Sequence, residues 1–322
     1  MPIIKSSYTP PFYFKNTHFN TIYKTLFIKG QIAYHRERIP TPDNDFLDLD
    51  FSTVGSKTLV IAMHGLEGSS QSKYIVSVVN YLNSKAIDCL AANFRGCSGE
   101  DNLQLYSYNS GKTDDVNAII YHVLNKYSYT NILLLGYSMG GNITLKYMGE
   151  TQNIPSEIKG AVAISTPCNL EGSSLALSKW ENRIYLKRFL RSLKSKSLQK
   201  LKKFPHNILN KEAILKANNF MEFDNAVTAP VFGFKNAQDY YTQSSSIHFI
   251  PTIQKPTLLI NALDDTFLSE NCYPFALANK HAYLSLETPT YGGHVGFNTA
   301  LGKTKLYWSE HRIFEFIQHI IS

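Results

Sequence analysis

The stretch Ile132-Leu133-Leu134-Leu135-Gly136-Tyr137-Ser138-Met139-Gly140-Gly141 decides how the rest of the chain is read. A short apolar run, strand-like in length, ends in G-x-S-x-G, and a helix-like segment from Gly140 to Glu150 follows at once. Such a turn is so sharp that side chains at 136 and 140 would collide with neighbouring backbone, while the strain pushes the hydroxyl of Ser138 out over the end of the sheet. The bare motif is a weak signal, and its weight comes from what surrounds it.

Working outward, short apolar runs alternate with helix-length segments, the pattern of a mostly parallel sheet with crossover helices. Gln31 to Ile39 and Phe46 to Phe51 flank the turn residues Pro40-Thr41-Pro42-Asp43-Asn44, which predicts an antiparallel hairpin at the start. Strands are predicted at Thr58 to Met63, Ile87 to Ala92, Asn131 to Leu135, Gly160 to Ile164, Thr257 to Asn261 and Ala282 to Leu286. Helices are expected at Gln71 to Ser84, Thr113 to Lys126, Gly140 to Glu150, Ser269 to Ala278 and Lys303 to Ile321. The strand spacing breaks after Ile164. A structureless loop reaching to Thr257 is improbable in a compact domain, so residues 168–250 are read as a helical cap inserted into a core of 1–167 and 251–322.

A serine hydroxyl needs a base, and histidine has the appropriate pKa. In folds built on this turn the order is serine, acid, histidine. His294 lies in Tyr291-Gly292-Gly293-His294-Val295-Gly296-Phe297, beyond the last strand. His281 would lie at the wrong end of that strand, and His311 and His319 belong to the amphipathic C-terminal segment. The acid should follow Thr257 to Asn261, where Asp264 and Asp265 are adjacent and point in different directions. Asp265-Thr266-Phe267-Leu268 fits the acid-x-apolar-apolar register of similar folds, which selects Asp265 and leaves Asp264 as a turn or capping carboxylate. An oxyanion needs preorganised N–H donors. The N–H of Met139, directly after the serine, is one candidate, and that of Leu66 in His64-Gly65-Leu66-Glu67-Gly68 is the other. His64 is expected to bond backbone within that loop.

With these residues in view, the chain resembles the YheT-like branch of the α/β hydrolases, also called the AB hydrolase 4 family. The likeness rests on Asn16-Thr17-His18-Phe19-Asn20-Thr21, the loop 64–68, Asn93-Phe94-Arg95-Gly96-Cys97-Ser98-Gly99, Tyr108-Asn109-Ser110-Gly111 and the His294 loop. Inside 168–250, Glu222-Phe223-Asp224, Thr228-Ala229, Gly233-Phe234 and Asp239-Tyr240-Tyr241 also match. The resemblance implies an α/β-hydrolase fold, esterase chemistry with lipid-like esters among the substrates, and no cofactor. Thr266 stands where relatives often carry proline. In the Arg95 and Ser110 blocks, Ser110 or Thr113 is read as a helix cap and Arg95 as a buried ion-pair former, with a substrate phosphate or carboxylate as its other potential partner.

Composition limits the alternatives. The 322 residues are 43% hydrophobic, enough for a large core, and the chain carries a formal charge of +7. Residues 179–203 alone hold ten Lys/Arg against Glu181, so one segment carries the whole excess and no nucleic-acid partner is implied for the body. Leu186, Phe189, Leu190 and Leu193 recur there at helical spacing. Two readings follow: a cap helix with its lysines in water, or an apolar stripe docking on an anionic membrane. Cys89, Cys97, Cys168 and Cys272 are scattered without metal-ligand spacing, which predicts free thiols and no metal site. No signal peptide and no membrane-length apolar run is read, so a cytoplasmic protein is expected. An acyltransferase on the same acyl-enzyme, and a non-enzymatic binder of anionic lipid, are the rival functions.

Overall fold

The computed structural model describes residues 3–27, 30–302 and 308–322. Its sheet runs β1 (Ile3–Ile4), β9 (Leu284–Glu287), β8 (Thr257–Ile260), β7 (Ile158–Ile164), β6 (Asn131–Tyr137), β4 (Thr58–Met63), β5 (Asp88–Asn93), β3 (Phe46–Ser52) and β2 (His35–Pro40) in spatial order. Neighbours from β1 to β5 pair in parallel, and β5–β3 and β3–β2 are antiparallel, so the expected hairpin sits at one edge.

The central strands are apolar without interruption because both faces are covered. Along β4, Leu59, Ile61 and Met63 join one core with Ile119, Ile120 and Val123 of α3 (Asp114–Lys126) and Ile143 and Met148 of α4 (Met139–Glu150). The alternate residues Val60 and Ala62 face the other core, built with Val78, Val79 and Leu82 of α2 (Lys73–Asn83) and Ile313, Phe316 and Ile317 of α12 (Trp308–Ile321). This two-residue alternation sets β6 in register too, so that Ser138 emerges at the sheet's carboxyl end.

Several expectations need correction. The strand expected from Gln31 starts at His35 as β2, with residues 31–34 irregular, and two elements not foreseen, β1 and a helix α1 (Thr17–Phe27), precede it. The helix expected over Ser269 to Ala278 breaks at Pro274, whose missing N–H and fixed φ end a short 3-10 turn at Glu270–Cys272 and begin α11 (Phe275–Ala278). The first five residues of the predicted segment from Lys303 lie outside the described residues. Thr113 stands at the N-cap of α3 without capping it; its hydroxyl donates to Glu150 instead.

Between β7 and β8 the chain forms α5 (Leu170–Leu177), α6 (Arg183–Lys203), α7 (Lys211–Lys216), α8 (Phe220–Phe223), α9 (Ala229–Phe232) and α10 (Ala237–Ser244), with a π-helical turn at Asp224–Thr228. Four of these helices begin on an asparagine. Asn169, Asn210, Asn219 and Asn236 each accept a backbone N–H three residues on, which satisfies a donor the first turn leaves orphaned. The stripe of α6 is used inside the protein: Leu186 and Leu190 are buried against Ala217, Phe220 and Phe223, with Phe189 and Leu193 half-covered beside them. That stripe is therefore not a face for a bilayer.

Candidate active site

The turn after β6 is held by steric exclusion. A Cβ on Gly136 would lie 2.2 Å from the carbonyl oxygen of Gly140, and one on Gly140 would lie 2.5 Å from that of Met63. Only hydrogen fits at either position, and Ser138 between them is forced to φ 52°, ψ −119°, a region L-residues avoid. Asn142, one turn into α4, donates to the carbonyls of Ser110 (2.7 Å) and Ser244 (2.8 Å), tying the elbow to the strand-end loops and to the end of α10.

Ser138 Oγ lies 2.9 Å from His294 Nε2, and His294 Nδ1 lies 2.8 Å from Asp265 Oδ2. The carboxylate can only accept, so Nδ1 carries the proton and Nε2 is left to accept from the serine. Asp265 is buried and also accepts the N–H of Phe267 at 3.0 Å, which fixes its rotation. The Phe267 ring stacks on the imidazole with centroids 4.3 Å apart. Three residues distant in sequence are thus brought together.

Asp264 points elsewhere. Its Oδ1 accepts the N–H of Gly293 (2.9 Å) and its carbonyl accepts the Thr17 hydroxyl (2.8 Å), so it shapes the histidine loop without touching the imidazole. Burial pushes its carboxyl up to about 6, and Oδ2 is buried with no hydrogen-bond partner among the described residues. Sequence reasoning passed over the other supports of that loop: Thr21 accepts the N–H of His294 and Ser165 that of Val295, each at 2.9 Å. In the sequence Thr21 stands out only as the last residue of Asn16-Thr17-His18-Phe19-Asn20-Thr21. Thr266, in the place of the usual proline, donates to Asn182 at 2.7 Å and so links the acid loop to the start of α6.

The loop after β4 closes over the serine, since a Cβ on Gly65 would come within 3.1 Å of Ser138 Cβ. In that loop the N–H of Gly65 donates to Tyr74 (2.9 Å), that of Glu67 to Tyr108 (3.1 Å) and that of Gly68 to the Gly65 carbonyl (3.0 Å). The N–H of Leu66 has no protein acceptor among the described residues. Met139 opens α4, where the helix leaves its N–H without a partner four residues back. His64 is buried with Nε2 accepting the N–H of Phe94 (3.2 Å) and Nδ1 against the Gly65 carbonyl (2.7 Å), and burial lowers its pKa to about 4. It is a neutral brace, as expected. Arg95 is likewise engaged internally, with Asp43 at 2.6 Å, Asp115 at 2.7 Å and Asp45 at 3.2 Å.

Above Ser138 lies a cavity of about 180 Å³ that opens to solvent. Its walls are largely apolar, with Leu66 and Met139 below and Phe189, Leu193, Phe220, Phe223, Val227 and Val231 contributed by the helices between β7 and β8.

Comparison with known proteins agrees with this architecture. Residues 58–289 match the model of the alpha/beta hydrolase fold family. YheT of Escherichia coli (strain K12) is 32% identical over 93% of this chain and 89% of its own. Phospholipase ABHD3 of Mus musculus is 25% identical over 99% of this chain and 80% of its own, and a Saccharomyces cerevisiae monoacylglycerol lipase is 29% identical over 84% of this chain and 59% of its own. Among solved structures, the Pyrococcus furiosus esterase Pf2001 superposes with a TM-score of 0.62 over 92% of this chain and 97% of its own, at 20% identity.

Proposed function

Since the chain belongs to the α/β-hydrolase family, in its YheT-like branch, and is by that kinship a carboxylic ester hydrolase, we propose that Ser138, His294 and Asp265 are its catalytic triad. The observation that carries the reading is the unbroken relay from Ser138 Oγ to Nε2 at 2.9 Å and from Nδ1 to Asp265 at 2.8 Å. Ser138 attacks the ester carbonyl and passes its proton to His294 Nε2, while Asp265 holds the imidazolium. The carbonyl oxygen, now negative, takes the N–H groups of Leu66 and Met139. His294 then protonates the departing alkoxide, and water, activated by the same imidazole, releases the acid from the acyl-enzyme.

Residues 168–250 act in this reading as a cap over a core of 1–167 and 251–322. Their apolar lining of the cavity supports esters with a lipid-like acyl chain. A cytoplasmic location belongs to the same reading and is supported by four free cysteines among the described residues.

A second element concerns the membrane. The internal use of the Leu186 and Leu190 stripe moves any contact to the opposite side of α6 and the 3-10 turn before it, where Ile184 and Trp180 are each 75% exposed. Around them Arg183, Lys187, Arg188 and Arg191 are exposed and form no ion pair among the described residues. An exposed tryptophan, with the Arg183 guanidinium 4.6 Å from its ring centroid and further cations around it free of carboxylate partners among the described residues, supports docking on an anionic bilayer.

The test of the catalytic reading is a fluorophosphonate probe together with p-nitrophenyl esters of increasing chain length. Wild type labels and hydrolyses; Ser138→Ala stays folded, does not label, and loses on the order of 10⁴- to 10⁶-fold in kcat. A Ser138→Ala protein that keeps a sizeable share of the activity overturns the assignment.

A further inference from the structure

The two oxyanion donors are held by different means. Met139 is locked by backbone: it opens α4 directly behind the elbow whose glycines admit no side chain. Leu66 sits in a loop fixed through its neighbour, Glu67, a non-glycine residue at φ 55°. The Glu67 carboxylate is buried and fully engaged. Tyr108 donates to Oε1 at 2.5 Å and accepts the Glu67 N–H at 3.1 Å, closing a ring around the residue. The remaining partners come from α6: Lys196 Nζ donates to Oε1 at 2.9 Å, and the Ser192 hydroxyl donates to Oε2. Ser192 and Lys196 are four residues apart, so one face of α6 grips one carboxylate.

We propose that Glu67 is a positioning residue, tying the loop that carries the Leu66 N–H to α6, so that the oxyanion site is complete only while α6 sits over the cavity. The proposal rests on the triad reading above. Its physical basis is tolerance: an oxyanion donor works only within about 2.7–3.1 Å of the developing charge. A loop that slips by a few tenths of an ångström loses the bond in the transition state and keeps the ground-state contacts. The pair is built to stay charged. Burial pushes the Glu67 carboxyl up, but Lys196 with the Ser192 and Tyr108 hydrogen bonds more than offset this and leave it below its usual range. Lys196 is partly covered, within 3.5 Å of Cys97 Sγ and 5.8 Å from the centroid of the Tyr108 ring.

Glu67→Gln and Lys196→Met approach the contact from its two sides, and kcat is measured per fluorophosphonate-titrated site. Each variant is expected to lower kcat by about 10- to 100-fold, less than the 10²–10³ of an outright lost donor, with KM within about threefold. Affinity for a trifluoromethyl ketone carrying the same acyl chain should fall by the factor lost in kcat, and the exchange Glu67→Lys with Lys196→Glu should restore part of both. A merely structural contact would lower the melting temperature and leave kcat per titrated site unchanged. Values within about twofold of wild type overturn the proposal while the triad reading stands. If Glu67→Gln does not fold, Lys196→Met decides by the same criterion, because its side chain is one-third exposed on a helix. Wild type that does not label overturns both.

Discussion

The loops at the end of the sheet and the helices between β7 and β8 line one cavity, yet they are held there by different physics. At the sheet end, backbone packs on backbone: Gly140 would bring a Cβ within 2.6 Å of the His64 carbonyl, and Ser138, His294 and Asp265 are joined by contacts of 2.8–2.9 Å. Across the cavity, α6 is attached by side chains. In its 21 residues only Leu186, Leu190, Ser197 and Lys200 are buried, and its links downward run through flexible lysines such as Lys196 to Glu67 and Lys200 to Asp101. A site that must hold sub-ångström geometry belongs on the first kind of support. The wall of a cavity can rest on the second, apart from the point where Lys196 grips Glu67.

This contrast is tested most severely by the two adjacent aspartates. Asp265→Asn should lower kcat by about 10⁴-fold, as an asparagine in place of the orienting acid stabilises the wrong imidazole tautomer. Asp264→Asn should cost less than about tenfold, since the amide oxygen it introduces can still accept the Gly293 N–H. Steady-state kinetics of the two variants decide, and a reversed order would redraw the triad around Asp264.

Next in size is the elbow itself. Gly140→Ala places a methyl against two carbonyl oxygens that cannot move without opening the sheet, so a stability loss of about 3 kcal/mol is expected, read as a fall in the urea midpoint. Unchanged stability would show that the turn is softer than the close approaches imply.

On the solvent-facing side of α6, away from Lys196, the expected effect is on location and leaves turnover alone. Wild type is expected to sediment with anionic vesicles, less so as salt rises, and Lys187→Gln, Arg188→Gln and Arg191→Gln combined with Trp180→Ala should abolish it. Hydrolysis of a soluble ester should be unchanged within about twofold. Equal binding of both proteins, or binding to neutral vesicles alone, removes the membrane role of this face.

The smallest effect is a pH dependence. Folded Asp264 keeps its proton up to about 6, whereas the unfolded chain releases it near the ordinary aspartate value. The native state therefore binds more protons in between, and stability contributed by this group falls as pH rises from about 4 to about 6. Asp264→Asn cannot titrate, so its stability relative to wild type should climb across that window and level off above it. Urea midpoints from pH 4 to 7 that run parallel for the two proteins would refute the shift.

What was legible in the amino-acid order was whatever local sterics and strand order dictate. Gly136 and Gly140 announce a turn that nothing larger can make, uninterrupted apolar runs announce strands covered on both faces, and His294 and Asp265 follow from their positions after successive strands. The misses at local level were punctuation, such as Pro274 dividing an expected helix, and α1, which went unnoticed although its apolar period is as strong as that of α3. What only the tertiary structure decided is pairing at long range. Nothing near Glu67 in sequence says that Lys196, 129 residues away, is its partner, that Thr266 reaches Asn182, or that Leu186 and Leu190 face inward and leave Trp180 and Ile184 outside. Periodicity marks that a helix has an apolar stripe, but which surface covers it depends on how distant elements pack, and that is a property of the whole fold.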